Sequence, residues 1–303
     1  MPSATENLSR DSATAVAASL SAMMEKELTV YSCTGYLNMI QSSSNDSNPN
    51  TMTMITSNDR MALVDWCYGV VDHCQYSRET VASAMDMVDR FLSTPSNSTA
   101  DKALRSPDLL QLLVVTALYV AIKLNERVVM SSALFAEITR YVYTVEEIED
   151  MERTLLSGLS WRCCAPTASQ IGHSILSLIL PHVDVSDASW GYLMDEMIYQ
   201  IEYAVRDCYF CTQRASTIAL AAICNAVIKD GKQISIYEHR AFLETLPRIK
   251  ESFSFDSTEV IVAACKRLQV LQDTVEVADD VVPEASECTE VRSVMELELH
   301  LLS

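Results

Sequence analysis

Apolar positions recur at three- and four-residue intervals along most of the chain, and those intervals predict helices. Val81, Ala84, Met85, Val88 and Leu92 fall on one face and predict an amphipathic helix over residues 79–93. Residues 109–124 are apolar on nearly every side, which predicts a central helix enclosed by its neighbours. Thr144 and Glu147 have the Ser/Thr-x-x-Glu spacing of a capping box, and the helix it opens carries Val145, Ile148, Met151, Leu155 and Leu159 on one side. A second box, Thr167 to Gln170, restarts the pattern after Pro166 and the short connector 160–166. Trp190, Leu193, Met194, Met197, Ile201, Ala204 and Val205 form the next helical stripe, and Ala215, Ile218, Ala219, Ala222, Ile223 and Ala226 another. Further helices are predicted near 236–246 and 257–271.

The stripes divide the chain. Residues 1–58 read as an N-terminal extension, with one apolar helix around 13–31 and a Ser/Asn-rich linker at 41–53. Residues 59–165 and 166–271 read as two consecutive groups of about five helices each. Residues 272–303, rich in carboxylates, read as a flexible acidic tail. A faint repeat agrees with the division: residues 116–122 (TALYVAI) and 217–223 (TIALAAI) align, with Lys123 after the first and Cys224 after the second. The expected class is all-α.

Composition narrows the function classes. Only 6 glycines and 8 prolines occur in 303 residues, too few for a hairpin-rich β architecture. The formal net charge of −19 disfavours phosphate backbones and anionic membranes, because nucleic-acid affinity rests on Lys and Arg neutralising phosphates. The polar first ten residues lack the apolar core of a signal peptide, and the run 109–122 is short for a bilayer. The expectation is a soluble intracellular protein, nuclear or cytoplasmic, whose 10 cysteines stay reduced. No glycine-rich phosphate loop occurs, the five histidines show no ligand spacing, and no cofactor or metal is expected. The CxxC at Cys208 and Cys211 has no second pair or histidine cluster to complete a tetrahedral site, so it reads as ordinary core or loop cysteines. Thr94-Pro95 and Ser106-Pro107 are candidate proline-directed phosphorylation sites, or simply turns.

Four charges stand where the pattern asks for apolar residues. Arg60 starts the segment holding Leu63, Val64, Cys67 and Val71; Asp89 follows Met85 by four; Lys123 ends the apolar helix; Glu152 lies four after Ile148. A charge near a core needs a partner, and two cations with two carboxylates can supply one another.

These residues sit in recognisable strings. Arg60-Met61-Ala62-Leu63-Val64-Asp65-Trp66 resembles the R-x-x-L-V-D-W opening of the cyclin box, and residues 87–93 (MVDRFLS) resemble its I-D-R-F-L-S segment. Residues 110–123 resemble the third-helix pattern ending in A-x-K, Met151-Glu152 the M-E of the fifth helix, and Ala165-Pro166-Thr167 the linker to a second box. The strings stand in family order over roughly 59–170; residues 171–271 match by helix pattern more than by motif. The resemblance implies two five-helix cyclin-box domains and a regulatory subunit, without catalysis of its own, that binds and activates a cyclin-dependent serine/threonine kinase in cell-cycle control. Lys123 and Glu152 would contact the kinase beside its regulatory C helix, or pair with one another inside the fold. Arg60 and Asp89 would form an internal ion pair. Leu63, Trp66 and Gln111 match a docking patch for substrates and inhibitors with R-x-L motifs. That patch is eroded here, since Asp59, Ala62 and Gly69 replace its apolar and acidic members. The N-terminal stretch holds no R-x-x-L destruction box. The alternatives are a cyclin-fold, transcription-factor-like adaptor and a scaffold that activates no kinase.

Overall fold

The computed structural model describes residues 4–33, 35–36, 55–94, 97–183, 185–229 and 234–279. In chain order the helices are α1 (Ala4–Thr29), α2 (Ser57–His73), α3 (Glu79–Leu92), α4 (Ser98–Ala103), α5 (Pro107–Asn125), α6 (Ser132–Ile138), α7 (Val145–Gly158), α8 (Ala168–Ile179), α9 (Asp187–Arg206), α10 (Ala215–Ile228), α11 (Ile236–Ser252) and α12 (Thr258–Asp279). Short 3-10 turns occupy Leu180–His182 and Cys208–Thr212. No strand occurs among the described residues, and the protein is all-α.

Local chemistry sets the helix starts. The first N–H groups of a helix have no partner within it, and a side-chain oxygen just before the helix supplies one. Thr56 accepts from the Asp59 N–H at 3.2 Å while Asp59 takes the Thr56 N–H at 2.7 Å, opening α2. Thr144 and Glu147 do the same for α7, and Ser235 and Glu238 for α11. The Ser106 hydroxyl accepts from the Leu109 N–H, with Pro107 at the first position of α5.

Two ends run past their expected limits. Helix α11 continues through Pro247 to Ser252 rather than stopping near 246, although proline contributes no N–H to the ladder. Helix α12 continues to Asp279, so the chain is still helical at Gln272, where a tail was expected; the Gln272 amide is buried and donates to Glu196 at 2.7 Å. Residues 280–303 and the linker at 41–53 lie outside the described residues.

The chain folds into two compact units. One gathers the described parts of Tyr31–Ala165 together with Val205–Thr212. Its axis is α5, which packs on α3, α7, α4 and α2. Leu113, Leu118 and Ile122 are fully buried there, alongside Met85 and Phe91 of α3 and Ile148 and Leu155 of α7. Each such side chain contributes roughly 1.5–3 kcal/mol of transfer free energy. Helix α5 is long and apolar enough to cross a membrane, longer than the run 109–122 suggests, but most of it is buried inside the protein, as a core helix is. Helix α7 ends against Phe91 because residue 158 is glycine: a Cβ there would sit 2.6 Å from the ring.

The other unit contains α1, residues 166–204 and residues 213–279. Helices α8 and α10 form its centre, and the small residues Ala219, Ala222 and Ala226 let neighbouring helices approach α10 closely. Helix α1 packs along α8 and is an integral part of this unit, not a separate extension. Near its end the buried carboxylate of Glu27 accepts from Arg214 at 2.7 and 3.0 Å and from the Ser216 N–H at 3.0 Å.

Candidate functional site

In the unit built on α5, the start of α2 brings Arg60 against Asp89 on α3. Arg60 Nε and Nη2 donate to the two Asp89 carboxylate oxygens at 3.2 and 2.8 Å. The pair is bidentate, the geometry in which guanidinium and carboxylate bind best. Nη1 donates to the Val205 carbonyl at 2.6 Å, and the Tyr36 hydroxyl donates to Asp89 Oδ1 at 2.7 Å. The buried charges therefore have the further hydrogen bonds that such a pair needs. Burial alone would discourage the Arg60 charge, but Asp89 beside it raises the guanidinium pKa well above its ordinary value. Burial and then Asp89 raise the Tyr36 phenol, so it stays a donor. This cluster is structural, with little of it reaching solvent.

Lys123 and Glu152 are placed differently. Lys123 is in the last turn of α5 and Glu152 in the middle of α7, and the two side chains form an ion pair. The lysine side chain keeps 34% of its surface exposed and the glutamate 15%. The ammonium also lies 4.7 Å from the centre of the Tyr119 ring, which in turn packs on Phe135. An aromatic face and one carboxylate occupy only part of the ammonium's donor capacity, and Glu152 has lone pairs left. Exposed apolar side chains follow Lys123 along the chain: Leu124 in the same last turn of α5, Val128 and Val129 just past it, and Leu134 on α6, which packs on α7. Glu126, just past α5, accepts from the Ser77 N–H at 2.9 Å and the Thr80 hydroxyl at 2.6 Å, fastening the end of α5 to the start of α3. A partly exposed ion pair followed by a stretch of exposed apolar side chains has the composition of a protein-docking surface, which combines aliphatic and polar contacts.

The residues matched to a docking patch differ in exposure. Leu63 is buried at 2% exposure, while Trp66 and Gln111 are half-buried. The Asp59 carboxylate is committed to the α2 cap. Beside Trp66, Asp65 pairs with Arg206 at 2.5 Å, and the Arg206 and Arg78 guanidinium groups lie 4.6 and 4.3 Å from the Tyr68 ring. Tyr36, the Val205 carbonyl and Arg206 are among the members of this unit to which the sequence pattern gives no role. Among the described residues no three His, Cys, Asp or Glu side chains are grouped to hold a metal ion.

Comparison with known proteins agrees with this architecture. Residues 29–164 match the family described as cyclin, N-terminal domain. A putative cyclin-A3-1 of Arabidopsis thaliana is 29% identical over 169 residues, covering 56% of this chain and 44% of the relative. Cyclin-A2 of Xenopus laevis is 36% identical over 116 residues, covering 38% of this chain and 26% of that protein. The chain thus spans less than half the length of these curated relatives. A viral cyclin from herpesvirus saimiri has a similar fold, with a TM-score of 0.59 at 12% identity over 83% of this chain and 97% of its own. A chain of the CAK complex from Chaetomium thermophilum, bound to ATP-gamma-S, gives a TM-score of 0.51 at 16% identity over 94% and 81% of the two chains.

Proposed function

We propose, for a chain that belongs to the cyclin family through its residues 29–164, that it is a regulatory subunit that binds and activates a cyclin-dependent serine/threonine kinase in cell-cycle control. The observation that carries this reading is the partly exposed Lys123–Glu152 pair, with the exposed apolar side chains Leu124, Val128, Val129 and Leu134 on the chain that follows Lys123. The spare donors of Lys123 and the spare lone pairs of Glu152 suit backbone carbonyls and N–H groups at a helix end of the partner. The exposed apolar side chains would exclude water from those polar contacts once the partner is seated, which strengthens them.

Activation follows as a population shift. A ligand moves a two-state equilibrium only by its difference in affinity for the two states. Docking beside the kinase's C helix favours the state in which the kinase's own Lys–Glu pair is formed and its activation loop is open. All catalytic groups belong to the partner. Arg60 and Asp89 act from inside, by holding α2 against α3. The match to an R-x-L docking patch is eroded in this reading, with Leu63 buried and Asp59 engaged in a cap. The protein acts inside the cell, in nucleus or cytoplasm.

The test is affinity capture from cell extract, with kinase activity assayed on a histone-like substrate. The variant is Lys123→Ala with Glu152→Ala together, since removing one alone would leave the other charge unpaired. The double variant is expected to lose the kinase while keeping the wild-type circular dichroism. Normal capture and activation by that variant would remove Lys123 and Glu152 from the interface. Recovery of no kinase by the wild type would favour an adaptor or scaffold.

A further inference from the structure

Residues 205–212 pack in the unit built on α5, and within them Cys208–Thr212 is a 3-10 turn. Such a helix has three residues per turn and rises about 2 Å per residue, so positions i and i+3 eclipse one another about 6 Å apart. That separation lies within the roughly 4.4–6.8 Å between Cα atoms that a disulfide spans. Cys208 and Cys211 are such a pair, and their thiols are hydrogen-bonded to each other. Both are partly exposed.

Their surroundings make them unequal. The Cys211 thiol holds its proton toward Cys208, and that hydrogen bond favours a thiolate at Cys208 against the opposing effect of burial. The Arg60 guanidinium and a hydrogen bond from Ser57 act in the same direction, and together they hold Cys208 below the ordinary thiol range. Cys211 is raised by holding the shared proton, by burial and by Asp89. Thiolate character with access is what makes a cysteine nucleophilic. By contrast, Cys67 on α2 is fully buried and raised by that burial, so it is inert.

We propose that Cys208 and Cys211 form an oxidisable dithiol, in which a hydroperoxide oxidises Cys208 and Cys211 closes the disulfide. In the first step the Cys208 thiolate attacks a peroxide oxygen. An S–O bond forms, the O–O bond breaks, the sulfur gives up two electrons, and hydroxide or an alkoxide leaves. In the second step the Cys211 sulfur attacks the Cys208 sulfenic acid. The S–S bond forms, the S–O bond breaks, and the departing hydroxide takes the Cys211 proton and leaves as water. The turn that carries the pair also carries the chain just past Val205, whose carbonyl holds Arg60. The disulfide therefore forms beside the buried ion pair of α2 and α3, and in a reducing compartment it is transient.

The experiment treats the reduced full chain with hydrogen peroxide, quenches with N-ethylmaleimide and digests with trypsin, which releases residues 207–214 as one peptide carrying both cysteines. The expected peptide has lost two hydrogens and carries no maleimide. It should form several-fold faster in the native protein than in the urea-unfolded chain, because the fold raises the thiolate fraction of Cys208 and the turn holds Cys211 three residues on, one turn away. In Cys211→Ser, which keeps a hydroxyl donor, Cys208 should stop at the sulfenic acid and be trapped by dimedone. A native rate no faster than the unfolded one overturns the proposal. So does a peptide that keeps both maleimides while the exposed Cys164 is oxidised, or a Cys211→Ser chain with no sulfenic acid at Cys208.

Discussion

Arg60 and Asp89, 29 residues apart in the chain, meet through hydrogen bonds of 3.2 and 2.8 Å while their side chains are only 7% and 8% exposed. The desolvation of such a pair offsets much of its attraction, but removing one member leaves a buried charge without compensation. Asp89→Ala should therefore cost about 3–5 kcal/mol in urea unfolding at neutral pH. Asp89→Leu with Arg60→Met should cost less than that single change, since no charge is stranded. A loss below about 1 kcal/mol for Asp89→Ala would mean that water reaches Arg60 and that the pair does not hold α2 to α3.

Thr116 lies in the middle of α5, fully buried, and its hydroxyl has no hydrogen-bond partner among the described residues. Valine has nearly the same shape and carries no polar group to desolvate. Thr116→Val should raise stability by roughly 1 kcal/mol, read as a higher urea midpoint with an unchanged slope. A lower midpoint would show that the hydroxyl is satisfied in solution.

Glu238 gives the second unit a pH dependence. Its carboxylate, at the start of α11, accepts from the Ser186 N–H at 2.8 Å, the Ser235 N–H at 2.7 Å and the Ser189 hydroxyl at 3.1 Å. Burial pushes its pKa up, but these donors outweigh burial and bring it down to about 2. A depressed carboxylate stabilises the fold above its unfolded value of roughly 4.3, and that contribution is lost as pH falls toward 2. The difference in urea midpoint between wild type and Glu238→Gln should be constant from pH 7 to pH 5. It should shrink steadily between pH 4.5 and pH 2. A difference that stays constant down to pH 2 would mean that the serine donors do not hold the charged form.

Much of the fold is legible because helical burial repeats locally. The face from Val81 to Leu92, the capping residues Thr144 and Thr167, and the all-round apolar character of α5 are short-range signals, and each corresponds to an observed element. The charges at apolar spacings are legible for the same reason: a core position that is not apolar demands a partner, and each of the two cations meets one carboxylate. Tyr36 bonds Asp89 across 53 residues, and the Val205 carbonyl meets Arg60 across 145. Neither contact leaves a periodic trace, since a lone tyrosine and a backbone carbonyl look the same paired or unpaired. Packing of α1 on α8 is hidden likewise, because an amphipathic stripe does not say which stripe it covers. Helix α12 outruns its expected end because Glu and Asp are tolerated within helices, and acidity alone does not terminate one.

The proposed docking surface separates from stability at its rim. Leu124 and Val128 keep 49% and 72% of their surface exposed, so replacing them removes little packing. Leu124→Asp and Val128→Asp should each leave the urea midpoint within about 0.5 kcal/mol of wild type. A carboxylate forced into an apolar contact must be desolvated on docking, so kinase capture should fall about tenfold or more for each. Tyr237, 82% exposed on α11 in the other unit, is the control, and Tyr237→Asp should capture kinase normally. Equal losses for all three variants would point to net charge, since the chain already carries −19, and not to a local surface. No loss for Leu124→Asp and Val128→Asp would place the partner elsewhere on the protein.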